Sequence, residues 1–132
     1  MIDQVDWIAL TVKQEAEGEE YEGKLAVAFV IVNRMAQKKR SASDVVLAPW
    51  QFSCWNTESP TKMRLEVDMM NAAWRDSYAA ASAAFHRTVD DPTRGATSYL
   101  NPDLCSPSQQ VNAGYAKSIV RATIGRHDFF IA

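Results

Sequence analysis

The sequence is short of the residues that would make it a metalloprotein, a disulfide scaffold or a nucleic-acid binder. Two cysteines in 132 residues, Cys54 and Cys105, are too few for the frameworks that staple small secreted domains. Without an export signal they are expected to stay reduced, although the sequence does not decide whether they are bridged. The two histidines, His86 and His127, lie far apart, and neither Cys-x-x-Cys nor His-x-x-x-His spacing occurs. No metal site and no cofactor is therefore expected. The formal net charge of -2 leaves no basic footprint for nucleic acid or an anionic membrane surface. The longest apolar run, Leu25 to Val32, is far too short to cross a bilayer, so no membrane insertion is expected. The first residues, Met1-Ile-Asp-Gln-Val-Asp6, are acidic and lack an export signal's apolar core. The chain is accordingly expected to be made in the cytoplasm and to stay there unless something else releases it.

What is present fits one soluble globular domain over 1–132. Hydrophobic residues at 47% and charged residues at 23% argue against disorder. The length is enough to bury most apolar surface without staples. No internal repeat or low-complexity tract appears.

The chain is organised around Glu15-Ala-Glu-Gly-Glu-Glu-Tyr-Glu-Gly23, which holds five acids, and the apolar run behind it. Asp3 is a plausible N-cap, with Asp6 in the first turn. Val5, Ile8, Ala9, Val12 and Ala16 recur at helical spacing and mark a core face, with Gly18 as the stop. Glu15, three residues after Val12, extends that stripe. A carboxylate there loses hydration, which disfavours its charged form and suits a general acid near neutral pH. The same position also reads as a wet helix end with its acid in solvent. Leu25 to Val32 is apolar on every side, as in a fully buried helix or strand. The alanines and the polar continuation through Arg40 predict the helix, placed centrally.

Ser43-Asp44 is expected to cap a short helix over Val45 to Leu47, which Pro49 stops. Trp50-Gln-Phe-Ser-Cys-Trp55 alternates aromatic and polar residues, as a sugar-stacking surface or as loop packing. Met63 to about Val89 is predicted to be helix-rich, a short helical turn and then a long helix from about Asp68, burying Trp74, Ser77, Tyr78, Ala81, Ala84 and Phe85, with Thr88 at the end of that face, and packing its alanines on the central helix. His86 reads as a helix-surface residue. Asp90 to Gly95 is a turn cluster, Ala96 to Leu100 a short extended segment, Asn101 to Gln110 a loop. The end reads as one or two strands around Gly125.

Together these pieces resemble the SleB-like cell-wall hydrolases, the family of the spore cortex-lytic enzyme and related phage lysins. The resemblance is carried, in order, by Glu15 to Gly23, Ala26-Val-Ala-Phe-Val-Ile-Val-Asn-Arg34, Gln51-Phe-Ser53, Asp91-Pro-Thr-Arg-Gly-Ala-Thr-Ser-Tyr99 and Ile124-Gly-Arg-His-Asp-Phe-Phe130. It implies a lysozyme-like α+β domain, mainly α, with a buried central helix and a small β portion. It further implies cleavage of the β-1,4 bond between N-acetylmuramic acid and N-acetylglucosamine in peptidoglycan, through lytic transglycosylation. Glu15 falls on the family's catalytic acid. Glu19 would support it, with Glu17, Glu20 and Glu22 a solvated acidic turn. Gln51, Phe52 and Ser53 would bind substrate, Tyr99 would sit near the acid, and His127 would line the cleft or hold structure. Asn33 and Arg34 would fix the central helix against the motif around Glu15. Where many relatives follow the tyrosine with histidine, this chain has Leu100, so any role of that histidine is absent.

The expected partner is therefore the peptidoglycan glycan strand, met by a monomeric endolysin of phage or prophage type. The alternatives are a muramidase hydrolysing the same bond and a non-catalytic peptidoglycan-binding domain. An acidic metal-binding module fits less well, because its oxygens lack a calcium-loop periodicity.

Overall fold

In the computed structural model, residues 2–48, 52, 59, 63–64, 66–68, 70–115 and 119–132 are described. Helices α1 (Gln4–Glu15), α2 (Tyr21–Lys38) and α3 (Ala42–Val46) are followed by α4 (Ala72–Phe85), β1 (Ser98–Leu100), a 3-10 turn (Pro102–Leu104), α5 (Pro107–Asn112), β2 (Val120–Ile124) and β3 (His127–Phe130). Most of the described residues are helical, and the strands form one small antiparallel sheet in the order β1-β3-β2.

Helix α1 begins on a reciprocal cap, in which the Asp3 carboxylate accepts from the Asp6 amide and Asp6 reaches back to the Asp3 amide. Each bond satisfies an orphan donor of the first turn. Asp6 is also paired with Arg64 at 3.3 Å, and Arg64 lies over the Trp74 ring, so the residues before α4 are tied to the start of α1. Ile8, Ala9, Val12 and Ala16 are buried as the stripe predicts. The helix ends at Glu15 with Ala16 as its cap, not at Gly18, which has no left-handed conformation. A backbone bond from the Ala16 amide to Val12 closes the last turn.

Helix α2 is the centre. Ala26 to Ile31 are between 0% and 1% exposed, which is what an all-round apolar segment requires. Helices α1, α3 and α4 and the sheet surround it. Its basic end closes on Lys39 in the left-handed region, φ 54°.

Four expectations shift. The cap of α3 is Ser41, two residues before the predicted Ser43, because the Ser41 hydroxyl accepts from the Asp44 amide. Helix α4 starts at Ala72, after the Asn71 side chain caps Ala73. It packs on α1 as well as on α2, and Ala80 takes the buried place expected of Tyr78, which is 40% exposed. The segment expected to be loop contains the 3-10 turn and α5, capped by Asn101 and Ser106.

The hairpin turn between β2 and β3 is Gly125-Arg126, flanked by the pair Ile124 and His127. A positive φ at the first central residue only, +59° at Gly125, is the geometry that favours glycine in a two-residue hairpin turn. Tyr99 pairs with Phe129 across β1 and β3.

Candidate active site

The link between α1 and α2 carries two half-buried carboxylates. Glu15 is the last residue of α1 and sits one turn beyond the fully buried Val12. Glu19 follows after a tight turn closed by its amide on the Ala16 carbonyl at 3.1 Å. Glu17, Glu20 and Glu22 are exposed, the solvated acids expected.

Glu19 is held from three directions. Its Oε1 lies 3.1 Å from His127 Nδ1. Its backbone carbonyl accepts from the ammonium of Lys24, a buried residue in the first turn of α2. Two glycines make room for it: a Cβ at Gly23 would fall 2.8 Å from Glu19 Cβ, and one at Gly125 2.7 Å from Oε2. Both approaches are closer than carbon atoms tolerate, so each position is a place where backbone must meet the carboxylate side chain. The glutamate therefore locks the helical body to the β hairpin.

His127 extends the group. Its ring meets Tyr99 edge-on at 5.4 Å and 81°, and Tyr99 leans on Phe129 at 5.6 Å. The structure thus brings together Glu19, His127 and Tyr99, from the two ends of the chain's matching motifs, with Glu15 four residues before Glu19. With Nδ1 turned to a carboxylate, the imidazole's other nitrogen is directed away from that contact, the usual way a carboxylate fixes a histidine tautomer.

Other expected residues do different work. Asn33 donates to Asp91 Oδ2 and to the Ala96 carbonyl, both at 2.9 Å, and Arg34 Nε donates to the Thr97 carbonyl. These bonds fasten α2 to the turn before β1. Asp91 is a hub: Oδ1 accepts from the Thr93 amide and hydroxyl, Oδ2 from the Gly95 amide and Asn33. Burial pushes the Asp91 carboxyl up, but these bonds outweigh it and hold the group below the usual carboxylate range. Fully committed acceptors leave Asp91 unsuited to act as a second catalytic acid. Phe52, expected to touch substrate, is 3% exposed and packs into the core under the Arg34 guanidinium, 5.2 Å away. A ring without an exposed face offers a sugar nothing to stack on. Gln51, Ser53 and Cys54 lie outside the described residues. His86 is exposed at the end of α4. The roles of Lys24, Gly23 and Gly125 are not legible in the sequence; only the glycine spacing hints at them.

A model of the cell wall hydrolase family matches residues 18–130. The chain belongs to the cell wall hydrolase family. The matched stretch includes Glu19, Asn33, Tyr99 and His127 and begins three residues after Glu15. Among solved members, the catalytic domain of the germination-specific lytic transglycosylase SleB from Bacillus anthracis is 26% identical. The alignment covers 96% of this chain and 93% of that one, with a TM-score of 0.67. The catalytic domain of Bacillus cereus SleB matches with TM-score 0.68 and 26% identity, covering 96% of this chain and 88% of that one. The fold of this cell wall hydrolase is that of those domains, lysozyme-like and mainly helical with a small sheet. The spore cortex-lytic enzyme of Halalkalibacterium halodurans is 30% identical over 110 residues, 77% of this chain. The chain spans 28% of that relative's length.

Proposed function

We propose that the chain cleaves the β-1,4 bond between N-acetylmuramic acid and N-acetylglucosamine of peptidoglycan as a lytic transglycosylase. The reading is carried by one observation. The fold matches, over 96% of the chain, a domain described as a lytic transglycosylase, and Glu15 lies four residues before Glu19, which contacts His127.

In the proposed reaction Glu15, as the carboxylic acid, gives its proton to the glycosidic oxygen while the bond from that oxygen to C1 of the muramic acid breaks. The resulting carboxylate then takes the proton of the muramic C6 hydroxyl, whose oxygen closes on C1. The products are a 1,6-anhydromuramic end and a free 4-hydroxyl on the leaving sugar, and Glu15 is protonated again. General acid–base help of this kind contributes about 10²–10⁴-fold. Glu19 serves as a positioning residue that fixes His127, and Tyr99 with it, at the edge of the site.

Hydrolysis is the second reading, favoured by Glu19 being a second half-buried carboxylate on the same link. A water-using enzyme needs a partner carboxylate about 5 Å away if retaining, or roughly 6.5–9.5 Å if inverting. Mass spectrometry of the muropeptides released from purified peptidoglycan decides. Anhydromuramic ends, lighter by one water than reducing ends, are expected. Reducing muramic ends would transfer the assignment to a muramidase, and glycan left intact would overturn both.

A further inference from the structure

A cavity lies toward the other end of α2 from Glu19. It encloses about 520 Å³ between the last turns of α2, β1 and the end of α5, within the range of small-ligand sites. Arg34, Gln37 and Lys38 line it from the helix, Ser98 and Tyr99 from the strand, and Asn112 from α5. Among the described residues, no Asp or Glu side chain lines it, in a chain whose formal charge is -2. The charged side chains of the cavity, Arg34 and Lys38, are therefore both cationic on an acidic protein, and Ala132 lines it as well.

Its two cations differ in kind. Arg34 is fixed, with Nε on the Thr97 carbonyl and the guanidinium over the Phe52 ring at 5.2 Å. Lys38 is exposed at the end of α2, with a flexible stem. A fixed guanidinium beside a mobile ammonium, an amide and hydroxyls suits a carboxylate better than a neutral sugar.

Tyr99 belongs to both places, lining this cavity and meeting the His127 ring at 5.4 Å. Tyr99 thus connects the cavity, through His127, to Glu19. We propose that the cavity receives the carboxylate-bearing peptide stem carried on the lactyl group of muramic acid. The inference rests on the glycosidic reading above. The span fits: Gly23, against which Glu19 packs, and Arg34 are eleven residues apart on α2, roughly 16 Å along the axis. An extended stem of about five residues reaches roughly 16 Å.

The test compares glycan strands bearing stems with the same strands stripped by an amidase. For Lys38→Glu, kcat/KM on stem-bearing strands falls roughly fivefold relative to stem-free strands, the effect of reversing one exposed charge at a carboxylate. Lys38→Arg keeps the wild-type ratio between the substrates. Thermal melts of both variants match the wild type, because Lys38 is exposed. A Lys38→Glu variant that changes both substrates by one factor, or neither, overturns the stem site and leaves the glycosidic reading standing. A wild-type chain that cleaves neither strand overturns that reading, and the stem site with it.

Discussion

His127 Nδ1 lies 3.1 Å from Glu19 Oε1, and that contact joins the link between α1 and α2 to the β2–β3 hairpin. The acids of the first motif and the histidine of the last are more than a hundred residues apart in the chain. One side-chain contact thus joins the helical body and the sheet at the candidate site.

The pair leaves no room at Gly125. Alanine there must adopt φ near +59° and place its Cβ 2.7 Å from Glu19 Oε2. The backbone strain alone costs about 1–2 kcal/mol, and Glu19 Oε2 must also shift from its place at the turn, which disturbs the carboxylate that meets His127. Gly125→Ala is expected to lose activity on purified peptidoglycan beyond what its lowered melting temperature explains. Gly95→Ala is the control. Its φ is +88° but nothing lies within 4 Å of the added carbon, so it should lose stability and keep specific activity.

Asp91 predicts an acid-dependent part of the stability. Its carboxyl is held below the usual range in the folded chain, so the stability it contributes is present above the unfolded value of about 4 and is lost as pH falls through the folded value. Asp91→Asn turns one accepting oxygen into a donor facing Asn33 or the Gly95 amide, costing about 1–3 kcal/mol at neutral pH. In denaturant titrations the gap between variant and wild type should narrow below about pH 4. A gap that is constant with pH would count against the hub.

Ser77 is fully buried, and its hydroxyl has no hydrogen-bond partner among the described residues. Ser77→Ala removes an unsatisfied group and improves helix propensity, so unfolding should require about 1 kcal/mol more free energy. Equilibrium unfolding in urea measures it, and a destabilised variant would mean that the hydroxyl is satisfied.

Elements with strong local signals are legible in the sequence. The capped α1, the apolar α2 and the hairpin at Gly125 each announce themselves through periodicity, burial or a turn glycine. Helix α5 does not, because none of its residues is buried and so no apolar stripe marks it; only its caps do. The partners of Asn33 and Arg34 escape a sequence reading for a different reason. Those bonds cross 58 and 63 positions of chain, and a single sequence carries no record of which distant carbonyl a side chain will meet. Phe52 shows the same limit, since an aromatic beside amides reads alike whether it faces a sugar or an arginine. Glu15 and Glu19 are legible as a pair, but their division of labour needs the hairpin's position.

That division is tested most directly by Glu15→Gln beside Glu19→Gln on purified peptidoglycan, with folding checked by thermal melts. Both amides keep size and shape while removing the ionisable proton and turning one accepting oxygen into a donor. Glu15→Gln is expected to fold like the wild type and to lose about 10²–10⁴-fold in rate, the contribution of a general acid. Glu19→Gln, acting only through His127, should lose about 10–100-fold, as positioning partners do. A folded Glu15→Gln chain that retains full lytic activity would contradict the assignment of Glu15 as the acid.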